Sequence, residues 1–114
     1  MKYMLLIYAE EKSKRSEKER EDCKSEAVKL AEDLRSKGQY VAANPLEPVA
    51  TAKSVRISDG KRVVTDGPFT ETYEQLGGYF LIETKTIDEA IAVACRIPMA
   101  ANGTVEVRPV IEFP

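Results

Sequence analysis

From Lys2 to Ala9 the chain is apolar on both sides of a two-residue period: Tyr3, Leu5 and Ile7 on one side, Met4, Leu6 and Tyr8 on the other. A period of two is that of a strand. A strand apolar on both faces predicts that both faces are covered. Glu10–Arg15 is charged and predicts a solvated loop. The period then lengthens. Ser16 followed by Glu19 fits a capping box, and Cys23, Ala27, Leu30 and Leu34 recur at helical spacing, with Val28 and Ala31 widening the stripe. Gly38 predicts the helix stop. The lysines and glutamates between the apolar positions read as its wet face.

Gln39–Ala43 predicts a short strand, and the two prolines of Asn44–Pro48 predict a break. Ala50–Ile57 and Lys61–Thr65 read as two strands joined by Ser58-Asp59-Gly60, a hairpin signal. Gly78–Thr84 is another strand, with Tyr79 and Leu81 facing one way and Phe80 and Ile82 the other. Thr86 and Glu89 repeat the capping box ahead of Ile87, Ala90, Ile91 and Ala94, a second amphipathic helix that Pro98 ends. Thr104–Phe113 is the last strand. The order is β-α-β, a hairpin, then β-α-β. It predicts an α+β fold, a ferredoxin-like split βαβ with an inserted β-hairpin. Nothing along residues 1–114 argues for a second domain.

Such a fold lays both helices on one sheet face. The opposite face would meet water, although two of its strands are apolar there. An exposed apolar sheet face is a partner site, and a second copy is the simplest cover. The sequence therefore predicts a homodimer with sheets packed face to face. In the last strand Val105, Val107 and Pro109 share one side, while Glu106, Arg108 and Val110 share the other. If the first set packs on the helices, Glu106 and Arg108 point between the sheets. Two readings stand: an ion pair at the rim, or a polar spot in an apolar cavity, which is how ligand pockets are built.

Composition narrows the chemistry. The chain has 114 residues, 43% of them hydrophobic, and a net charge of −2. That balance supplies no basic stripe for nucleic acid and no field for an anionic membrane. MKYMLLIYAEE is too short for a signal peptide and lacks a small-residue cleavage site, so a cytoplasmic location is expected. There is no histidine, which removes Ser-His, Cys-His and His-metal arrangements within the chain. Acid–base work falls to Asp, Glu, Tyr, Lys or a thiol. Cys23 and Cys95 are expected to be buried helix-face thiols; a redox pair is the sharper alternative. No metal or cofactor is indicated, because the carboxylates lack the spacing of a calcium loop.

The richest stretch is VVTDGPFTETYEQLGGYF, from Val63 to Phe80. Pro68 pushes Gly67 away from the helical region. Asp66 either caps this turn through its own carboxylate or stands at a strand end as a general base or electrostatic anchor. Glu71 and Gln75 are four apart and suit one helical turn before Gly77-Gly78. Tyr73 and Tyr79 supply phenols, and Arg108 or Lys85 would supply a cation.

The run DGPFxExxExLGGY, followed by GxxEVRPV and preceded by MKYMLLIYAEE, resembles the DGPF-domain branch of the YCII-related proteins over nearly the whole chain. The resemblance implies a ferredoxin-like domain pairing as a dimeric α/β barrel. It also implies a small-molecule enzyme with polar residues lining a cleft. Asp66 carries over as the catalytic candidate, and Arg108 and Glu106 carry over next; Tyr79, Tyr73 and Glu71 join them as binding candidates. Some relatives pair a histidine with an aspartate, a pair that this chain cannot form. Some family genes adjoin extracytoplasmic-function sigma factors, which implies the alternative of a ligand-sensing or sigma-factor-associated regulatory module.

Overall fold

The computed structural model describes residues 1–12 and 15–114; the expected loop Glu10–Arg15 therefore lies partly outside the described residues. The first strand, β1, spans Lys2–Ala9, and the first helix, α1, spans Glu17–Ser36. The capping box forms: Glu19 N–H donates to Ser16 Oγ at 3.1 Å, and Ser16 N–H donates to Glu19 Oε1 at 3.4 Å. At the other end Gly38 takes φ 70°, its N–H reaches the Arg35 carbonyl at 3.1 Å, and Gln39 N–H reaches the Leu34 carbonyl at 2.8 Å. Those paired bonds are the Schellman stop, which needs a residue free to turn left-handed.

Strand β2 runs Tyr40–Pro45. It runs two residues into the expected break, because Asn44 pairs with Tyr79 and Pro45 with Gly78 at a sheet edge, where a proline costs no ladder bond. A 3-10 helix at Val49–Thr51 replaces the expected start of the next strand. The hairpin then comprises β3, Lys53–Ser58, and β4, Lys61–Asp66. Asp59 (φ 48°) and Gly60 (φ 74°) turn it, the left-handed pair that a two-residue hairpin turn requires. Strand β5 covers Gln75–Glu83, helix α2 covers Ile87–Cys95, a 3-10 helix covers Pro98–Ala101, and β6 covers Thr104–Pro109. The last strand stops short of Phe113, although Val110 N–H still bonds the Lys2 carbonyl at 2.9 Å.

Two antiparallel sheets result. One has four strands in the order β2-β5-β1-β6; the other is the β3-β4 hairpin alone. Both helices pack on one face of the larger sheet. Leu30 and Leu34 of α1, and Ala90, Val93 and Ala94 of α2, enclose Tyr3 and Leu5 of β1 and Phe80 and Ile82 of β5. Val105 and Val107 join from β6, so that strand faces as the alternation predicts. Helix α2 is rolled away from its expected stripe: Ala90, Val93 and Ala94 are buried while Ile87 and Ile91 stay outside. The cysteines also depart from the expected buried helix-face thiols. Cys95 is exposed and Cys23 half-buried, both as free thiols.

The hairpin stands apart as an arm. Its residues are exposed except Ser54, and Val55, Ile57, Val63 and Val64 all reach solvent. The outline is flat, 47 × 45 × 18 Å, with a radius of gyration of 16.0 Å; a compact chain of ~100 residues has about 13 Å. Among the described residues no helix is long and apolar enough to cross a membrane.

Candidate functional site

The open face of the four-stranded sheet carries the side chains that alternate away from the helices. Strand pairing sets them in rows. Glu106 lies opposite Leu6, Leu6 opposite Tyr79, and Tyr79 opposite Asn44. One row along, Arg108 lies opposite Met4, Met4 opposite Leu81, and Leu81 opposite Ala42. Thr104, Tyr8 and Leu76 make the third row. The centre is apolar and half-exposed, and the polar groups sit on the outer strands. Asn44 Nδ2 donates to the Tyr79 hydroxyl oxygen at 3.0 Å, so the phenolic proton is left to point elsewhere.

At the end of this face is a wide depression of about 460 Å³, lined by Tyr8, Thr72, Glu74, Thr104 and Glu106. The Thr104 hydroxyl donates to Glu74 Oε1 at 2.8 Å. Glu106 has no hydrogen-bond or ion-pair partner among the described residues, and neither does Arg108, so the rim ion pair between them does not form. The two share a face of β6 and are both exposed. Sequence reasoning found Glu106 and missed Glu74, Thr72, Thr104 and Asn44. Thr104 was legible as the start of the last strand; Asn44 falls in the expected break and is placed opposite Tyr79 only by strand pairing, and Thr72 and Glu74 arrive from a loop, which period does not place.

The loop itself departs from expectation. Glu71 and Gln75 do not form a helical turn. Gln75 opens β5 instead, its Nε2 donating to the Thr72 carbonyl at 2.6 Å and its Oε1 accepting from Glu11 N–H at 2.9 Å. One amide thus ties the loop to the end of β1. Glu71 is exposed. Tyr73 is 77% exposed. A hydrogen bond and the charge of Glu10, then the smaller effects of desolvation and Glu74, hold its phenol above the ordinary tyrosine pKa. It is a proton holder rather than a phenolate.

Asp66 ends β4 on the arm. Its side chain is 84% exposed and forms an ion pair with Lys53, its cross-strand partner. The adjoining Gly67, at φ 90°, is tied by its own N–H to the Ala52 carbonyl at 2.7 Å and by its carbonyl to Ser54 Oγ at 2.8 Å. Asp66 and Arg108 stand on different sheets, and no hydrogen bond or ion pair joins them among the described residues. The chain therefore gathers Glu106, Arg108 and Tyr79 on one face, with Tyr73 and Glu71 in the loop beside it, and holds Asp66 elsewhere. No group of three or more carboxylates or thiols converges as a metal site among the described residues.

The YCII-related domain matches residues 1–114. An uncharacterized protein of Rhizobium meliloti (strain 1021) is 40% identical over 95 residues, which covers 75% of this chain and 77% of that protein.

Proposed function

The chain belongs to the YCII-related family, and on that premise we propose that it is a homodimer that binds a small polar molecule between its sheets, with acid–base chemistry as its activity. One observation carries the reading: the open sheet face is apolar in the middle and polar at its edges. Met4, Leu6, Tyr8, Leu76, Tyr79 and Leu81 occupy the middle and Glu106, Arg108 and Asn44 the outer strands. A face of that kind is stable in water when a second apolar surface covers it. The strand order supports a ferredoxin-like fold, and the DGPFTETYEQLGGY run supports the DGPF branch. Pairing two such faces makes a dimeric α/β barrel.

Within the closed space, Glu74 is held by the Thr104 hydroxyl, Glu106 is the second carboxylate at the depression, and Arg108 is the cation two residues along the same face. The Glu106 carboxylate would serve as a general acid or base. Arg108 would hold an anionic group or a developing negative charge. Tyr79, oriented by Asn44, would donate a proton. Asp66 serves as an acid or base in this scheme where the second copy covers the arm and displaces solvent from the Lys53 pair.

A second reading, a ligand-sensing or sigma-factor-associated regulatory module, draws on the arm. Its exposed Val55, Ile57, Val63 and Val64 suit a protein partner, and the exposed, ion-paired Asp66 suits no chemistry by itself. A thermal-shift screen against metabolites separates the two, because a ligand that binds the native state stabilises it. The enzyme reading expects a stabilising compound that is lost in Glu106→Gln and Arg108→Ala and is turned over by the wild type. Binding without turnover supports the sensing module, and no binding with capture of a sigma factor supports the regulatory one.

A further inference from the structure

On the helix side of the sheet, behind the end of β1, lies a second and smaller cavity of about 270 Å³. Ile7, Ala9 and Met99 give it an apolar floor; Glu10, Glu11, Arg15 and Arg20 give it charged walls. Tyr8, between Ile7 and Ala9, lines the depression on the opposite face, so the two cavities are separated by the thickness of one strand. The proposed function makes no use of this second cavity.

Its acids and amides are already engaged. Glu11 Oε2 accepts the Val49 N–H at 3.0 Å. Glu10 is engaged with the Tyr73 phenol. Gln75 is spent on Glu11 N–H and on the Thr72 and Tyr73 carbonyls. The two guanidiniums are different. Among the described residues neither Arg15 nor Arg20 has a carboxylate within 4 Å. Arg15 is nevertheless half-buried, held where the chain enters α1, and Arg20 follows on its first turn. Two planar cationic donors, Arg15 half-buried and Arg20 exposed, therefore border an apolar floor beside carboxylates that already hold other partners.

We infer that this cavity binds a small monocarboxylate, its carboxylate held by Arg15 and Arg20 and its short alkyl chain laid on Ile7, Ala9 and Met99. A guanidinium meets a carboxylate through two parallel hydrogen bonds. The size fits a small ligand, being just under the ~300–1,000 Å³ of drug-sized sites. The charge fits a single negative charge: Glu10 and Glu11 sit in the same wall and repel a dianion. A neutral ligand would leave the arginine donors unmatched.

The test uses the full chain and three probes: butyrate, its neutral isostere butyramide, and inorganic phosphate, each titrated while backbone amide resonances are recorded. The inference expects saturable shifts at Ile7, Ala9, Gln75 and Met99 with butyrate and none with butyramide. It expects Arg15→Gln or Arg20→Gln to weaken butyrate about tenfold, the scale of one charge-assisted contact. Arg20→Lys should recover part of the loss. Both positions lie outside the core, so circular dichroism should confirm folded variants. Equal binding of butyramide, preferential binding of phosphate, shifts confined to Tyr8, Thr104 and Glu106 on the opposite face, or no saturation with butyrate would each overturn it.

Discussion

Gly103 precedes β6 at the corner where the second 3-10 helix meets the end of β1. A side chain there has nowhere to go. An ideal Cβ would lie 2.2 Å from the Tyr8 carbonyl oxygen, 3.1 Å from the Met99 carbonyl oxygen and 3.2 Å from Ala9 Cα. Comfortable carbon contacts are about 3.5–4.0 Å, so Gly103→Ala must drive two backbone segments apart by about 1 Å. Neither is the free end of a flexible side chain. Overpacking of this kind costs about 1–3 kcal/mol, and rigid neighbours put the expectation at about 2–3 kcal/mol. For a domain of this size that is a fall in Tm of roughly 10–20 °C. Gly77→Ala is the matched control: its nearest neighbour would be the Ile7 carbonyl oxygen at 4.0 Å. It should be neutral or gain up to about 1 kcal/mol from a stiffer unfolded chain. Both would be measured by chemical and thermal denaturation at one protein concentration, since self-association makes Tm concentration-dependent. Amide shifts in Gly103→Ala should centre on Tyr8, Ala9 and Met99, the wall between the two cavities. A loss under about 0.5 kcal/mol, the range of ordinary surface changes, would refute the packing of this corner.

Leu5→Ala, at a fully buried side chain of β1 in the core under the helices, should cost about 2–5 kcal/mol by denaturant titration. Asp33 accepts from Arg96 at 2.6 Å and pairs with Lys37 at 3.2 Å, and those two partners lower its pKa from the ordinary 3.8. A lowered folded-state pKa stabilises the fold above the unfolded value; that stability is lost as pH falls through the folded one. Asp33→Asn should therefore flatten the acid limb of the stability curve below about pH 4 and leave a salt-sensitive deficit at neutral pH. Removing Glu10, the main cause of the raised Tyr73 pKa, should move the Tyr73 phenol titration downward in Glu10→Gln, read by NMR against Tyr73→Phe.

Elements decided by one period or one local motif are legible in the chain. The alternation in β1 and β5 separated Tyr3, Leu5, Phe80 and Ile82 from Met4, Leu6, Tyr79 and Leu81, and the structure buries the first set. The capping box at Ser16 and the stop at Gly38 are contacts within a few residues, so composition could announce them. Failures fell where distant contacts decide. The Glu71–Gln75 spacing suited a helix, but Gln75 finds partners in Glu11 and Thr72 and joins a strand. Pro45 read as a break, yet an edge position tolerates it. For the site, Glu106 and Arg108 were legible because strand alternation fixes their face. Asp66 was singled out by its motif, and nothing local could tell that its strand belongs to a separate, exposed sheet.

A second copy over the open sheet face would show in the solution mass, and a charge placed on that face should remove it. Sedimentation equilibrium of the wild type and of Leu6→Glu, a change at a half-exposed residue outside the buried core, should give twice the 12.7 kDa chain mass for the first and the chain mass for the second. The variant should keep its helical circular dichroism. A wild type that sediments at 12.7 kDa, or a Leu6→Glu dimer as tight as the wild type, would contradict the face-to-face dimer.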